Sequence, residues 1–324
     1  MRAVICERYG PPEVLEVRVV PRPRPASDEV LIRIRATSVT QADARMRGFR
    51  VPPSTWVPAR LVLGIFKPRR QVLGSELAGV VEQIGADVQR FAVGDRVYAS
   101  TAIGHGGGTH AEYICMPEHH LVEHMPTHLD FEQAAVIPFG GRAALHFLRA
   151  AGVGPGQRVL IHGASGSLGT YAVQLARHVG ARVTGVCSGA NAELVRSLGA
   201  EDVIDYTQED FTERVGQFDV VFDTVGLASP RGCLRALAPG GAYVNAVSSL
   251  GVALQTWWWS LGTGKRTLGG VTGEDPEYLV ELKELAEAGA IQPVISRRFQ
   301  LEEIGEAHRV VDSGHKVGNV VVVV

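Results

Sequence analysis

Residues 157–185 constrain this chain more than any other stretch. Val159, Leu160 and Ile161 form a short apolar run, which suits a buried parallel strand. Gly163, Gly166 and Gly169 follow. Leu168, Tyr171, Ala172, Leu175, Ala176 and Val179 then recur at spacings of three and four, the period of a helix with one apolar face. A second apolar run at 182–186 completes strand, glycine turn, helix and strand in about 30 residues, the length of one βαβ unit. The turn suits a nucleotide phosphate. Gly163 permits a tight bend, Gly166 lets a pyrophosphate approach the backbone, and Gly169 lets helix and strand pack closely. The N–H groups around Ser165, Gly166, Ser167 and Leu168 then face the anion. A glycine every third residue means little in a chain with 38 glycines; its place between a strand and a helix gives it meaning.

At 324 residues the chain is long enough for two domains. Its 32 basic and 34 acidic residues nearly cancel, which implies neither a nucleic-acid nor an acidic-membrane partner and leaves a small-molecule substrate. Cys6, Cys115, Cys187 and Cys233 show no paired spacing, so neither a disulfide framework nor a zinc knuckle is expected. No secretory signal opens the chain, and the closing valine run, 320–324, is far shorter than the roughly 20 residues that span a bilayer. A cytoplasmic protein is the expectation.

The first third reads as all-β, with strands at 2–6, 15–19, 30–36, 77–84, 96–99 and 111–116 and turns rich in Gly and Pro between them, the pattern of a partly closed barrel. Residues 48–70 interrupt it with an apolar and basic excursion. From Asp130 helical spacing takes over. Beyond the glycine turn, runs at 182–186, 203–204, 219–222, 242–245 and 267–271 alternate with helical segments, giving six strands with the one at 159–161. Six is the number in a complete doubly wound sheet. Helices at 276–288 and 301–310 and a strand at 318–324 close the chain.

Val72-Leu-Gly-Ser-Glu-Leu-Ala-Gly79, Phe91-Ala-Val-Gly-Asp-Arg-Val97, Gly163-Ala-Ser-Gly-Ser-Leu-Gly169, Val203-Ile-Asp-Tyr206 and Asp219-Val-Val-Phe-Asp-Thr-Val-Gly226, in that order, resemble the medium-chain dehydrogenase/reductase superfamily. Within it the chain is similar to the zinc-independent quinone oxidoreductases, the zeta-crystallin group. The resemblance implies an α/β chain in which a doubly wound parallel Rossmann domain (125–271) is inserted in a GroES-like, partly closed β-barrel catalytic domain (1–124 and 272–324), with the nicotinamide in a cleft. It also implies a homodimer that pairs strand 267–271. By position it assigns Thr40, Asp43 and Arg45 to the polar catalytic loop, and Phe139, Val225, Gly226 and Asn319 to the neighbourhood of the cofactor.

Zinc-dependent relatives place a Cys where this chain has Thr40, and a Gly-His-Glu motif where it has Gly74, Ser75 and Glu76. A hydroxyl does not replace the thiolate or imidazole that zinc prefers, so no zinc is expected. His105, His110, His119 and His120 lie close in sequence but in a Gly-rich loop and beside a strand, and are read as solvated loop histidines. At the end of the second nucleotide-domain strand, Cys187 and Ser188 stand where an NAD-binding protein places an acid. That absence admits the 2′-phosphate of NADPH. Ser188 can donate to it, Ala190 and then Asn191 stand where many relatives carry Arg or Lys two residues past the serine, and Tyr206 matches a tyrosine that lies beside the phosphate in the family. NADPH is therefore expected over NADH, by a modest ratio.

Without a Lewis acid the suitable acceptors are quinones and α,β-unsaturated carbonyls, whose conjugation spreads the arriving charge. An enoyl-thioester reductase and a cofactor-binding protein without turnover are the alternatives. Asp43 is read as a helix start or salt-bridge partner before a catalytic group, and Arg45 as a residue that could orient the developing oxyanion. Trp257, Trp258 and Trp259 are divided between core packing and a substrate entrance or dimer contact, because consecutive side chains cannot all face one way on a regular element.

Overall fold

The computed structural model describes residues 1–51, 56–101, 107–247 and 250–324. Contacts divide it into two units: Met1–Phe139 with Glu274–Gly289 and Pro293–Val324, and Gly140–Gly273 with Ala290–Gln292. Residues 125–139, placed by sequence with the nucleotide domain, group with the first unit, where the helix at 131–135 packs on neighbouring strands.

In the first unit β1 (Arg2–Cys6) and β2 (Leu15–Val19) form an antiparallel pair. β3 (Glu29–Ser38) is followed by α1 (Gln41–Gly48), α2 (Trp56–Leu63), β4 (Glu76–Ile84), β5 (Arg96–Ser100), β6 (Tyr113–Pro117), β7 (Val122–His124), α3 (Phe131–Ala135) and the first residues of α4 (Pro138–Ala151). Val30, Ile32 and Ile34 alternate along β3 and point into one core with Leu77, Val81, Val97, Ile114 and Met116, as a half-buried strand of period two requires.

The second unit carries β8 (Arg158–His162), α5 (Ser167–His178), β9 (Arg182–Cys187), α6 (Ala192–Ser197), β10 (Asp202–Asp205), β11 (Phe218–Asp223), α7 (Pro230–Ala236), β12 (Leu237–Asn245), α8 (Leu250–Ser260) and β13 (Arg266–Gly269). Every pairing in its sheet is parallel and the strand order is β10-β9-β8-β11-β12-β13. Successive strands run outward from β8 on one side and from β11 on the other, so the order reverses between these two. Ligands of open α/β sheets bind outside the strand ends at such a switch point. α5 can lie close to β8 only because position 169 is glycine: a Cβ there would stand 2.1 Å from the Gly163 carbonyl oxygen.

The first unit resumes with α9 (Glu277–Glu287), β14 (Ile295–Gln300), α10 (Ile304–Asp312) and β15 (Asn319–Val323). α10 buries Ile304, Ala307, His308 and Val311, one face at helical spacing. β15 and β6 both pair with β3, and the sheet runs β14-β15-β3-β4-β5-β7 with β6 beside β3. β14 is a strand that the sequence reading missed. Among the described residues no helix is long and apolar enough to cross a membrane, and all four cysteines are free thiols.

Candidate functional site

In the first unit β3 leads into three hydroxyl residues, Thr37, Ser38 and Thr40, all buried. Thr40 caps α1. Its hydroxyl accepts the Asp43 N–H at 3.2 Å while the Asp43 carboxylate accepts the Thr40 N–H at 2.8 Å, a reciprocal capping box. The Thr40 hydroxyl donates its own hydrogen to the same carboxylate oxygen at 2.7 Å, and the other oxygen accepts from Ser75 Oγ at 2.6 Å. Asp43 is fully buried, so the geometry gives it the helix-start role.

Glu76 opens β4 at 1% exposure. Its carboxylate accepts from Ser38 Oγ at 2.5 Å and from the Phe139 N–H at 2.8 Å, which ties the ends of β3 and β4 to the start of α4. Burial pushes the carboxyl up to about 7, against the pull of those two donors. Lys316 feels the same charge, and burial brings its ammonium down to about 8. Arg45 is half-buried on α1; burial and then Arg50 lower its pKa, and no carboxylate offsets them. Asn319 opens β15 at 2% exposure, where its side-chain amide donates to the Val294 carbonyl at 3.1 Å.

The histidine expectation needs correction at one position. His119 and His120 are exposed and His105 lies outside the described residues, but His110 is fully buried. Its Nε2 sits 2.9 Å from the Ser38 carbonyl oxygen, and its ring meets buried His308 edge-on at 5.7 Å. Burial lowers the pKa of both. Among the described residues no group of three or more His, Cys, Asp or Glu could hold a metal ion. The hydroxyls of Thr40 and Ser75 are donors to Asp43 rather than ligands in waiting, and a zinc ion does not fit this set.

In the second unit Gly163 turns at φ +81°, and a Cβ on it would meet Val225 Cγ2 at 2.6 Å. Gly166 precedes α5 as its N-cap, with no side chain capping the helix. The first turn of α5, Ser167 and Leu168, thus presents backbone donors to an anion. Asn191 Nδ2 donates to Ser188 Oγ at 3.0 Å and to Ser165 Oγ at 3.3 Å, joining the turn after β8 to the turn after β9. Tyr206 follows β10 and is half exposed. A dinucleotide's pyrophosphate and adenosine fit this edge.

Two features here escaped the sequence reading. His162 and Asp223 end the neighbouring strands β8 and β11 in register, with Nδ1 and Oδ1 2.9 Å apart. Asp223 also accepts from the amides of Val225 at 3.1 Å and Gly226 at 2.8 Å, so this pair fixes the turn assigned to the nicotinamide. Burial opposes its ionisation, but the bonds from His162 and those amides prevail and hold its pKa low. The strand ends were legible; their register was not. Second, an acid does stand beside Ser188. It is Asp205, brought from β10 opposite Cys187 of β9.

Residues 26–127 match the family model for the alcohol dehydrogenase GroES-like domain, and residues 198–322 the model for zinc-binding dehydrogenases. The mitochondrial NAD(P)H oxidoreductase RTN4IP1 of Mus musculus is 34% identical over 99% of this chain and 89% of its own length. A quinone oxidoreductase of Pseudomonas aeruginosa is 33% identical, with 97% and 96% covered. Among solved structures, the quinone oxidoreductase from Coxiella burnetii superposes with a TM-score of 0.89 at 30% identity, over 100% of this chain and 99% of that one.

The Glu76 environment gives a signed pH effect. Its carboxyl keeps its proton to about pH 7 when folded, against an ordinary 4.5, so the native state binds more protons between those values and this group's stability contribution falls as pH rises through them. The full loss is about 3 kcal/mol. Urea unfolding of wild type and Glu76→Gln at pH 4.5 and 7.5 should show the variant gaining, relative to wild type, by that order. An equal difference at both pH values would refute the assignment.

Proposed function

The chain belongs to the medium-chain dehydrogenase/reductase superfamily, in its quinone oxidoreductase group, and on that basis we propose an NADPH-dependent, zinc-independent reductase acting on quinones or α,β-unsaturated carbonyls. The observation that carries this reading is the donor set around Asp43, two alcohols and a backbone amide, with Thr40 and Ser75 where zinc-dependent relatives carry Cys and His. An unactivated ketone lacks polarisation in such a site; a conjugated acceptor does not need it.

The bound dinucleotide supplies hydride from its nicotinamide. The protein's part is to bind, orient and keep water out. Ser165, Gly166, Ser167 and Leu168 would hold the pyrophosphate, Ser188, Asn191 and Tyr206 the adenosine end, and Val225 with Gly226 the nicotinamide end. In the first unit Thr40 and Asp43 fix the start of α1, and Arg45, one turn further on, offers its guanidinium to the oxygen that becomes negative. The proton that completes the reduction comes from water or a nearby hydroxyl, to the oxygen of a quinone or to the α-carbon of an enone. Phe139 and Asn319 keep their family-assigned places beside the cofactor as part of this proposal.

Two copies would pair through β13, the edge strand of the second unit's sheet. Trp257 and Trp258 support this: they are 53% and 68% exposed on the neighbouring α8, whereas Trp259 packs on the core. A single-chain mass by light scattering would exclude the pairing. A cytoplasmic setting also belongs to this proposal.

NADPH oxidation with 9,10-phenanthrenequinone, a short enone and crotonyl-CoA tests the activity. Turnover of the quinone or the enone, faster with NADPH than with NADH, is expected. Turnover of crotonyl-CoA alone would indicate an enoyl-thioester reductase, and tight NADPH binding with no turnover a non-catalytic protein; either overturns the proposal.

A further inference from the structure

If the cofactor reading above holds, the corner of the second unit between β9 and β10 meets the adenosine ribose. Proteins of this architecture that bind NAD end the second strand in an acid that takes the ribose hydroxyls, and those that bind NADP place a cation there instead. β9 ends in neither. Cys187, Ser188 and Gly189 follow one another, and Arg196 is the sole Lys or Arg in residues 183–213, which contain seven acids.

One of those acids is fixed at this corner by its neighbours. Asp205 closes β10, in parallel register with Cys187, and the next amide, Tyr206 N–H, donates to the Cys187 carbonyl at 3.2 Å. Oδ1 of Asp205 accepts from the Thr207 N–H at 3.0 Å and from Thr207 Oγ1 at 2.8 Å. Oδ2 turns toward the loop after β9, so close that a Cβ on Gly189 would stand 2.5 Å from it. The bonds from the Thr207 backbone and side chain, and then from the Gly189 amide, hold the carboxyl below its ordinary range despite some desolvation. Ser188, the residue expected to meet a 2′-phosphate, is therefore directly followed by a residue lying against a carboxylate. Its hydroxyl is already oriented by Asn191.

We infer that Asp205 is a specificity-determining residue: it supplies from the third strand the carboxylate that the second strand lacks, favouring a free ribose 2′-hydroxyl and holding down the preference for NADPH. Asp205 is solvent-accessible, so the repulsion is screened and the effect modest. Ser188 and Tyr206 still admit the phosphate. The pair of tendencies makes the ratio of the two affinities, rather than either affinity alone, the property that Asp205 controls.

The test is binding without an acceptor, read from nucleotide fluorescence for NADPH and NADH with wild type, Asp205→Asn and Thr207→Val. Asparagine keeps an oxygen for the Thr207 amide and hydroxyl; it loses the charge and, with an amide nitrogen in place of Oδ2, the bond from the Gly189 amide. Asp205→Asn should raise the ratio of NADPH to NADH affinity by roughly fivefold, the scale of one screened unit charge near a phosphate. Thr207→Val, which removes a hydrogen bond to Oδ1 and keeps the charge, should leave the ratio within about twofold of wild type. The wild-type ratio should also rise as salt is added, because the repulsion is screened; this reading needs no variant. A ratio unmoved in Asp205→Asn, or one that falls with salt in wild type, overturns the inference. Failure of the cofactor reading is distinguishable, since wild type would then favour NADH outright or bind neither nucleotide.

Discussion

Two buried carboxylates, Asp43 and Glu76, organise the polar end of the first unit, and the donors bonded to them are all neutral: amides and hydroxyls of Thr40, Ser75, Ser38 and Phe139. A buried carboxylate persists only where its oxygens are satisfied, and removing one partner exposes the desolvation cost of the rest, about 1–3 kcal/mol. Here the partners come from the end of β3, the cap of α1, the start of β4 and the start of α4. The bonds therefore set where α1 begins and where Arg45 stands on it.

The second unit solves a different problem with backbone rather than side chains. Gly163 supplies a left-handed turn, Gly169 allows α5 to touch the strand end, and the uncapped start of α5 leaves partial positive charge at the switch point between β8 and β11. The His162–Asp223 pair spans that switch point and grips the turn at Val225 and Gly226. Anion binding and the placement of that turn thus depend on adjacent strand ends, which links the cradle's shape to sheet register.

Much of this was legible in the chain. Period-two runs marked β1 to β6, and the glycine spacing marked the turn before α5, because local sequence decides both. β14 was not legible: its residues are mostly exposed and its order comes from pairing with β15. α1 is short and polar; Asp43 hints at its start in the sequence, and the reciprocal bonds of Thr40 and Asp43 fix it. His110 read as a loop histidine because nothing local reveals that His308, almost two hundred residues later, covers it. Asp205 is the most instructive case. The absence of an acid after β9 was read correctly along the chain, yet β10 delivers one to the same corner through parallel pairing.

On the proposed reading, the hydroxyl-and-carboxylate network of Thr40, Ser75 and Asp43 serves the acceptor end of a nicotinamide-dependent reductase without a metal. The most direct measurement is the rate of quinone-dependent NADPH oxidation by protein stripped with a strong chelator, with zinc content determined on the same sample. A site built as described gives the untreated rate after zinc is removed. A rate that falls in proportion to the zinc lost and returns when zinc is restored would contradict it.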